Sequence, residues 1–188
     1  MSQKIKQLAA GIMAIDHVGL IANTLMLRII GRISFPLFAY QFGQTWKLTS
    51  SKEKVSNRLL IMGLISQIPY TLMTNKNTVN MMLGFWIVLE ILKLIHKCKP
   101  KYKLIALIAG AIGCEIAKID YGWYSPIITV LLMNYANHPV WWVAWSIVNL
   151  TYTAWCGWWP QIFAIAAPII LTIYKSPRVF WVCGDQKN

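Results

Sequence analysis

The clearest shortage in this 188-residue chain is charge, because Asp, Glu, Lys and Arg together make up only 13% of it. A soluble domain usually carries a charged fraction of about 25%. So few polar side chains cannot cover the surface of an ordinary globule, and much of this surface is expected to face lipid. The shortage therefore argues against a soluble globular domain.

Cysteine is also scarce, and its placement does not suit a metal site. The four cysteines are widely separated in the chain and match no metal-ligand spacing: Cys98, Cys114, Cys156 and Cys183. A glycine-rich nucleotide-binding loop is missing from the sequence as well. We therefore expect no bound metal, and we expect any nucleotide-bearing substrate to be recognised by basic loops and helix ends.

What the chain has instead is apolar sequence, with 57% hydrophobic residues. Apolar runs of about 15–22 residues are the length that a membrane-crossing helix needs. The fold class predicted is all-α, a polytopic transmembrane helix bundle of about eight spans that forms a single domain over residues 1–188. The predicted spans are residues 8–27, 30–46, 58–75, 78–96, 103–119, 122–137, 139–157 and 159–175.

The formal net charge of +12 is distributed in short basic runs between these apolar segments. Such runs are typical of cytoplasmic membrane loops and not of a nucleic-acid-binding face, so we expect no nucleic-acid partner. If the N-terminus is cytoplasmic, four basic residues lie on the outer side of the membrane: Arg28, Arg32, Lys76 and Lys118. The other fourteen fall inside: Lys4, Lys6, Lys47, Lys52, Lys54, Arg58, Lys93, Lys97, Lys99, Lys101, Lys103, Lys175, Arg178 and Lys187. Both termini are therefore predicted to be cytoplasmic.

Charged residues inside predicted spans are costly and indicate either pairing or function. Glu90 and Lys93 are three residues apart, as are Glu115 and Lys118. Neutralisation within each pair is the simpler interpretation. Asp120 lies in a turn, where helix capping is the simpler role.

The first predicted span carries a stripe of basic residues. Lys6, His17 and Arg28 recur every eleven residues, close to three helical turns, so an unbroken helix would align them across the membrane with His17 near its middle. Asp16 would point about 100° away from His17 and is expected to bind a different helix. His17 alone could be a hydrogen-bonding bridge, whereas between two cations it suits a general base.

Arg28 and Arg32 lie four residues apart, on one face of a helix. Two interpretations stay open at this point. The pair could anchor the chain at the lipid headgroups, or it could form a fork for a carboxylate or phosphate.

Several segments, in order, resemble the TraX family, named after the membrane acetylase of conjugative F-type pilin. The most specific resemblance is the arginine-to-FPLF block at residues 28–40, together with the SQIPY block at residues 66–70. Supporting segments lie at residues 6–9, 15–19, 57–60, 77–84, 119–122, 166–170 and 174. One position departs from the family pattern, since Gln44-Thr45 stands where a Glu-Gly pair is expected.

The resemblance implies a multi-pass protein of the bacterial inner membrane that transfers an acetyl group from acetyl-CoA. The implied acceptor is a pilin N-terminus or another envelope component, and membrane lipids are the other partner. His17 is then the base or acyl relay, with Asp16, Arg28 and Arg32 completing the catalytic group. Lys6, Lys54 and Arg58 are expected to bind the donor's phosphates.

The eleven-residue spacing of Lys6 and His17 also resembles that of transmembrane acyltransferases which acetylate bacterial surface sugars. A different class of function stays open beside both enzymes. This is a non-enzymatic membrane protein that binds a pilus or envelope component as an exclusion or assembly factor.

Overall fold

The computed structural model describes residues 3–174, and most of these residues lie in helices. The α-helices are α1 (Gln3–Ile21), α2 (Leu25–Gly31), α3 (Ser34–Leu48), α4 (Lys52–Thr74), α5 (Met81–Lys97), α6 (Lys103–Ile116), α7 (Tyr124–Met133), α8 (Pro139–Cys156) and α9 (Ala167–Tyr174). Short 3-10 helices occupy Pro100–Tyr102 and Trp159–Ala166. The all-α prediction is confirmed. Cys183 and the basic residues from Lys175 onward lie outside the described residues.

The apolar runs identified in the sequence correspond to these helices, but their boundaries differ. The run at 8–27 is divided between α1 and α2, and the run at 159–175 is divided between a 3-10 helix and α9. Within residues 3–174, none of the helices combines the length and the apolar character needed to cross a membrane.

The division between α1 and α2 overturns the predicted basic stripe. Helix α1 ends at Ile21, and Asn23 adopts a left-handed backbone conformation with φ of 50°, which asparagine tolerates better than most residues. Helix α2 then folds back along α1, so that Gly31 lies directly against Asp16. Arg28 therefore lies beside Gly19 rather than one helical interval beyond His17, and the alignment of three basic residues on one helix face was wrong.

Helix α3 lies at the centre of the bundle and is buried on almost all sides. It packs mainly against α1 and α7. Near its start, the ring of Phe35 stacks on Tyr121 with centroids 3.9 Å apart, and Phe35 also stacks on Phe85 of α5. A helix buried on most of its faces belongs in a core, although α3 also buries the polar side chains of Ser34 and Gln41.

Successive helices run between two ends of the bundle. The first, called here the arginine end, brings together Asp16, His17, Arg28, Arg32, Tyr70, Lys76 and Asp120 around one cavity. The second, called the lysine end, brings together Trp46, His96, Lys103 and Asn134. Because α3 and α5 end there and α6 begins there, the lysine-rich connections before α4 and α6 lie at that end. Among residues 3–174, the basic residues predicted on the cytoplasmic side therefore lie apart from those predicted on the outer side.

Large apolar side chains remain exposed on the outward helix faces. Ile21 of α1, Leu72 of α4, Ile116 of α6 and Ile173 of α9 are each at least 75% exposed. Extended apolar surface of this kind marks contact with lipid or with another protein.

One of the two predicted neutralising pairs is confirmed and the other is wrong. Lys93 Nζ lies 2.8 Å from Glu90 Oε1, and it also contacts Glu53. Glu115 instead accepts a hydrogen bond from the Trp123 backbone N–H at 3.0 Å. Lys118 is not on the same helix face because α6 ends at Ile116 and Lys118 has a φ of 52°.

Replacement of Gly31 tests the close packing of α2 on α1. A Cβ at residue 31 would overlap the Asp16 side chain, so Gly31→Ala should separate the two helices and lower the free energy of unfolding by about 1–3 kcal/mol. Gly11→Ala is the matched control, because a Cβ there meets nothing within 4 Å and should stabilise α1 by about 0.5–1 kcal/mol. Chemical unfolding of the two variants, monitored by circular dichroism, measures both. Equal stability of the two would contradict this packing.

Candidate functional site

The arginine end is organised by one carboxylate and two guanidinium groups. Asp16 on α1 binds Arg28 on α2 at 2.9 Å and binds Arg32, just after α2, through both carboxylate oxygens. The Asp16 and Arg32 side chains are only 13% and 9% exposed. As expected from its position on the helix, Asp16 binds a different helix from its own. The arginine fork thus already holds a carboxylate, and that carboxylate belongs to the protein.

Two aromatic residues from distant parts of the chain fix the guanidinium groups. Arg32 Nη1 donates to the Tyr121 hydroxyl at 3.2 Å. The Trp158 ring lies over both guanidiniums, with centroid distances of 5.2 Å to Arg28 and 4.8 Å to Arg32. Such stacking orients the planar groups and leaves donors on their edges available.

His17 is half-buried next to this cluster, and its tautomer follows from its hydrogen bond. Nδ1 lies 2.7 Å from the Met13 carbonyl oxygen, and since a carbonyl can only accept, Nδ1 carries the proton. A neutral ring then presents the lone pair of Nε2, for which residues 3–174 supply no partner. His17 lies four residues before the end of α1, so it is nearer the arginine end than the middle of its helix.

His17 lines a cavity of about 250 Å³, called here the His17 cavity, and also a neighbouring cavity of about 100 Å³ that Arg28 and Arg32 line. Asp16, Tyr70, Asp120 and Tyr121 line the His17 cavity too. The arrangement places one imidazole, two carboxyl groups and two tyrosine hydroxyls around one cavity. Such a set can accept and return a proton during acyl transfer.

Asp120 joins the site, although capping was the role expected from the sequence. Its backbone N–H donates to the Val79 carbonyl at 2.8 Å, which holds the turn beside Tyr70. Burial raises the pKa of the Asp120 carboxyl, and the nearby Arg32 guanidinium opposes that shift. The only signal in the sequence was the Asp-Tyr-Gly turn itself, in which Tyr121 and Gly122 both have positive φ.

The residues expected to bind the donor are not part of this cluster. Lys54 and Arg58 are exposed near the start of α4, whereas Tyr70 of the same helix lines the His17 cavity. Lys6 is exposed on α1, eleven residues or about 16 Å from His17. Residues 3–174 contain no group of three His, Cys, Asp or Glu side chains that could hold a metal ion.

Removal of the central carboxylate should destabilise the bundle strongly. Asp16→Asn leaves two mostly buried guanidiniums without their counter-charge, which typically costs about 3–5 kcal/mol of unfolding free energy. Glu53→Gln is the matched control. It breaks the ion pair with Lys93, whose acid Glu53 is 77% exposed, and it should cost less than about 1 kcal/mol. Denaturant titration of both variants gives the comparison. A loss for Asp16→Asn no larger than that for Glu53→Gln would show that the Asp16 pair is not structural.

Of three comparisons with known proteins, the one against family models gave a match. Neither the curated proteins nor the solved structures contain a significant match to this chain. The family model described as TraX protein, in contrast, matches residues 1–183 and therefore nearly the whole sequence. It spans the arginine pair, His17 and the Asp120 turn alike. This chain belongs to the TraX family.

Proposed function

We propose that this protein is a membrane-embedded acetyltransferase that moves an acetyl group from acetyl-CoA to a pilin N-terminus or another envelope acceptor. The observation that carries the proposal is His17, with an unpartnered Nε2 in a cavity beside the Asp16–Arg28–Arg32 cluster. Membership of the TraX family supports a pilin-associated role in conjugation.

Location in the bacterial inner membrane is part of the proposal, with several passes through the bilayer. Two observations support it. Large apolar side chains are exposed on outward helix faces, as at Leu72 and Ile116. The lysine-rich connections gather at one end and only a few basic residues gather at the other, which is the charge asymmetry typical of membrane proteins.

The proposed chemistry is direct transfer to an amine. The amine nitrogen attacks the thioester carbonyl carbon while His17 Nε2 takes a proton from that nitrogen. The carbon–sulfur bond then breaks, and the departing CoA sulfur receives the proton from the imidazolium. Free edges of the Arg28 guanidinium, which is partly exposed to the cavities, are placed to stabilise negative charge that develops on the carbonyl oxygen.

Donor binding is proposed to begin at the opposite side of the molecule. Lys6, Lys54 and Arg58 are exposed cations on α1 and α4 that can bind the phosphates of acetyl-CoA. The flexible pantetheine arm of CoA separates these phosphates from the thioester, which fits the distance of about 16 Å along α1 between Lys6 and His17.

Replacement of His17 tests the chemistry. His17→Gln keeps hydrogen bonding but cannot take a proton at neutral pH, so acetyl transfer should fall by about two to four orders of magnitude. His96→Gln is the matched control, since His96 is exposed at the lysine end, and it should transfer at the normal rate. Intact-mass analysis of pilins from cells that carry each variant counts the added acetyl groups.

The same assay separates the enzyme from a non-enzymatic binding partner. Transfer by His17→Gln at the wild-type rate would exclude His17 as the base. Absence of acetylated pilin even with the wild-type chain would favour a binding role in exclusion or assembly. Membrane levels of the variants show whether a loss reflects chemistry or folding.

Orientation can be tested with two cysteines at opposite ends. Cys156 lies at the arginine end, and Cys98 follows the last residue of α5, about 25 Å along that helix from the His17 cavity. An impermeant maleimide added to intact spheroplasts should label Cys156 and spare Cys98, and Cys98 should react only after permeabilisation. Labelling of Cys98 from outside would reverse the proposed orientation.

A further inference from the structure

A second cavity at the arginine end is not used by the proposed chemistry. Its volume is about 550 Å³, and we call it the Trp158 cavity. Arg28, Arg32 and Lys76 line both this cavity and the cavity of about 100 Å³ that His17 also lines. Cys156, Trp158 and Gln161 line the Trp158 cavity as well. Neither Asp16 nor His17 lines it.

The charge that faces this cavity is positive. Arg28, Arg32 and Lys76 line it, whereas the two nearby carboxylates, Asp16 and Asp120, line only the neighbouring cavities. Asp16 and Asp120 together carry at most two negative charges against the three cations Arg28, Arg32 and Lys76, and the Arg28 side chain is 22% exposed. The N–H donors on the free guanidinium edges therefore suit a ligand with negative charge.

An unpartnered amide lies in the same wall. Gln161 is only 2% exposed, and its Nε2 atom has no hydrogen-bond partner. The hydroxyl of neighbouring Tyr124 interacts with this amide but forms no hydrogen bond of normal geometry with Nε2, and it donates its own proton to Asn149 at 2.7 Å. A buried donor left unpaired costs about 1–3 kcal/mol. Rotation of the amide can present an N–H to the cavity, where a ligand oxygen would satisfy it.

We propose that the Trp158 cavity binds a phosphate-class group, either the headgroup of an anionic phospholipid or the pyrophosphate of a nucleotide-type molecule. Arg28, Arg32 and Lys76 supply cationic donors from two parts of the chain, and Gln161 supplies a neutral donor from a third. Several donors that line one cavity suit a group with several acceptor oxygens. Trp158 holds both guanidiniums by stacking and closes the remaining side. The site does not depend on acetyl transfer.

Protection of Cys156 tests the proposal in the unmodified full-length protein. Cys156 lines the cavity and is exposed, whereas Cys98 lies at the other end of α5 and serves as the internal control. Pyrophosphate should slow alkylation of Cys156 by neutral iodoacetamide at least threefold, and it should leave Cys98 unchanged. Alkylation at each cysteine is measured by peptide mass spectrometry at constant ionic strength.

Nanodiscs identify the source of the phosphate. If a lipid headgroup occupies the cavity, Cys156 should be protected in nanodiscs with phosphatidylglycerol but not in pure phosphatidylcholine, with no pyrophosphate added. If a soluble molecule occupies it, only added pyrophosphate should protect. Full reactivity of Cys156 under both conditions would overturn the proposal.

Replacement of Gln161 tests the donor directly. Gln161→Met keeps the side-chain volume and removes the amide, so the affinity for pyrophosphate, or for the protecting lipid, should fall about tenfold. The matched control is Gln41→Met. Gln41 is also buried with an unpartnered amide, but it does not line the cavity, and its replacement should leave affinity unchanged. Equal affinity of Gln161→Met and wild type, or an equal loss in both variants, would contradict the assignment.

Discussion

The ion pairs between Asp16 and the two arginines are the contact on which the arginine end depends. They join α1 to the segment that folds back along it, and only because residue 31 is glycine can the two backbones approach so closely. Charges this poorly exposed are costly to bury, and they are tolerated here because each has a partner. The same arginines line the Trp158 cavity and the cavity of about 100 Å³ next to His17, so this contact shapes both spaces.

Much of the helical content could be predicted, because apolar runs of sufficient length give a direct signal. The fold-back of α2 could not. Its turn at Ala22-Asn23-Thr24 contains neither glycine nor proline, and only two polar residues separate the apolar segments on either side, so the two segments form one apolar run in the sequence. That single run produced the false alignment of His17 with Arg28. Asn23 and Thr24 are a local signal for a break, since asparagine tolerates positive φ and threonine often precedes a helix, but that signal does not say that α2 returns with Gly31 against Asp16.

The candidate site was predictable only for residues that are close in sequence. Asp16, His17, Arg28 and Arg32 come from one short region, and the structure does bring them together. Asp120, Trp158 and Gln161 enter from more than eighty residues away, through chain reversals that periodicity does not encode. The family resemblance included the Asp120 turn, but capping explained that residue equally well until Tyr70 and Arg32 were seen beside it.

Shared lining residues connect the Trp158 cavity to the surroundings of His17. Arg28 and Arg32 line the Trp158 cavity and the cavity of about 100 Å³, which Asp16 and His17 also line. A ligand anion in the Trp158 cavity would compete with Asp16 for the same guanidinium donors, so its binding would weaken or reorient the ion pairs. Asp16 precedes His17 directly on α1, and both line the His17 cavity of about 250 Å³. Any shift of the carboxylate therefore changes the electrostatic surroundings of the imidazole. An anion bound in the Trp158 cavity would therefore act on His17 through the Asp16 carboxylate, without a large rearrangement of the helices.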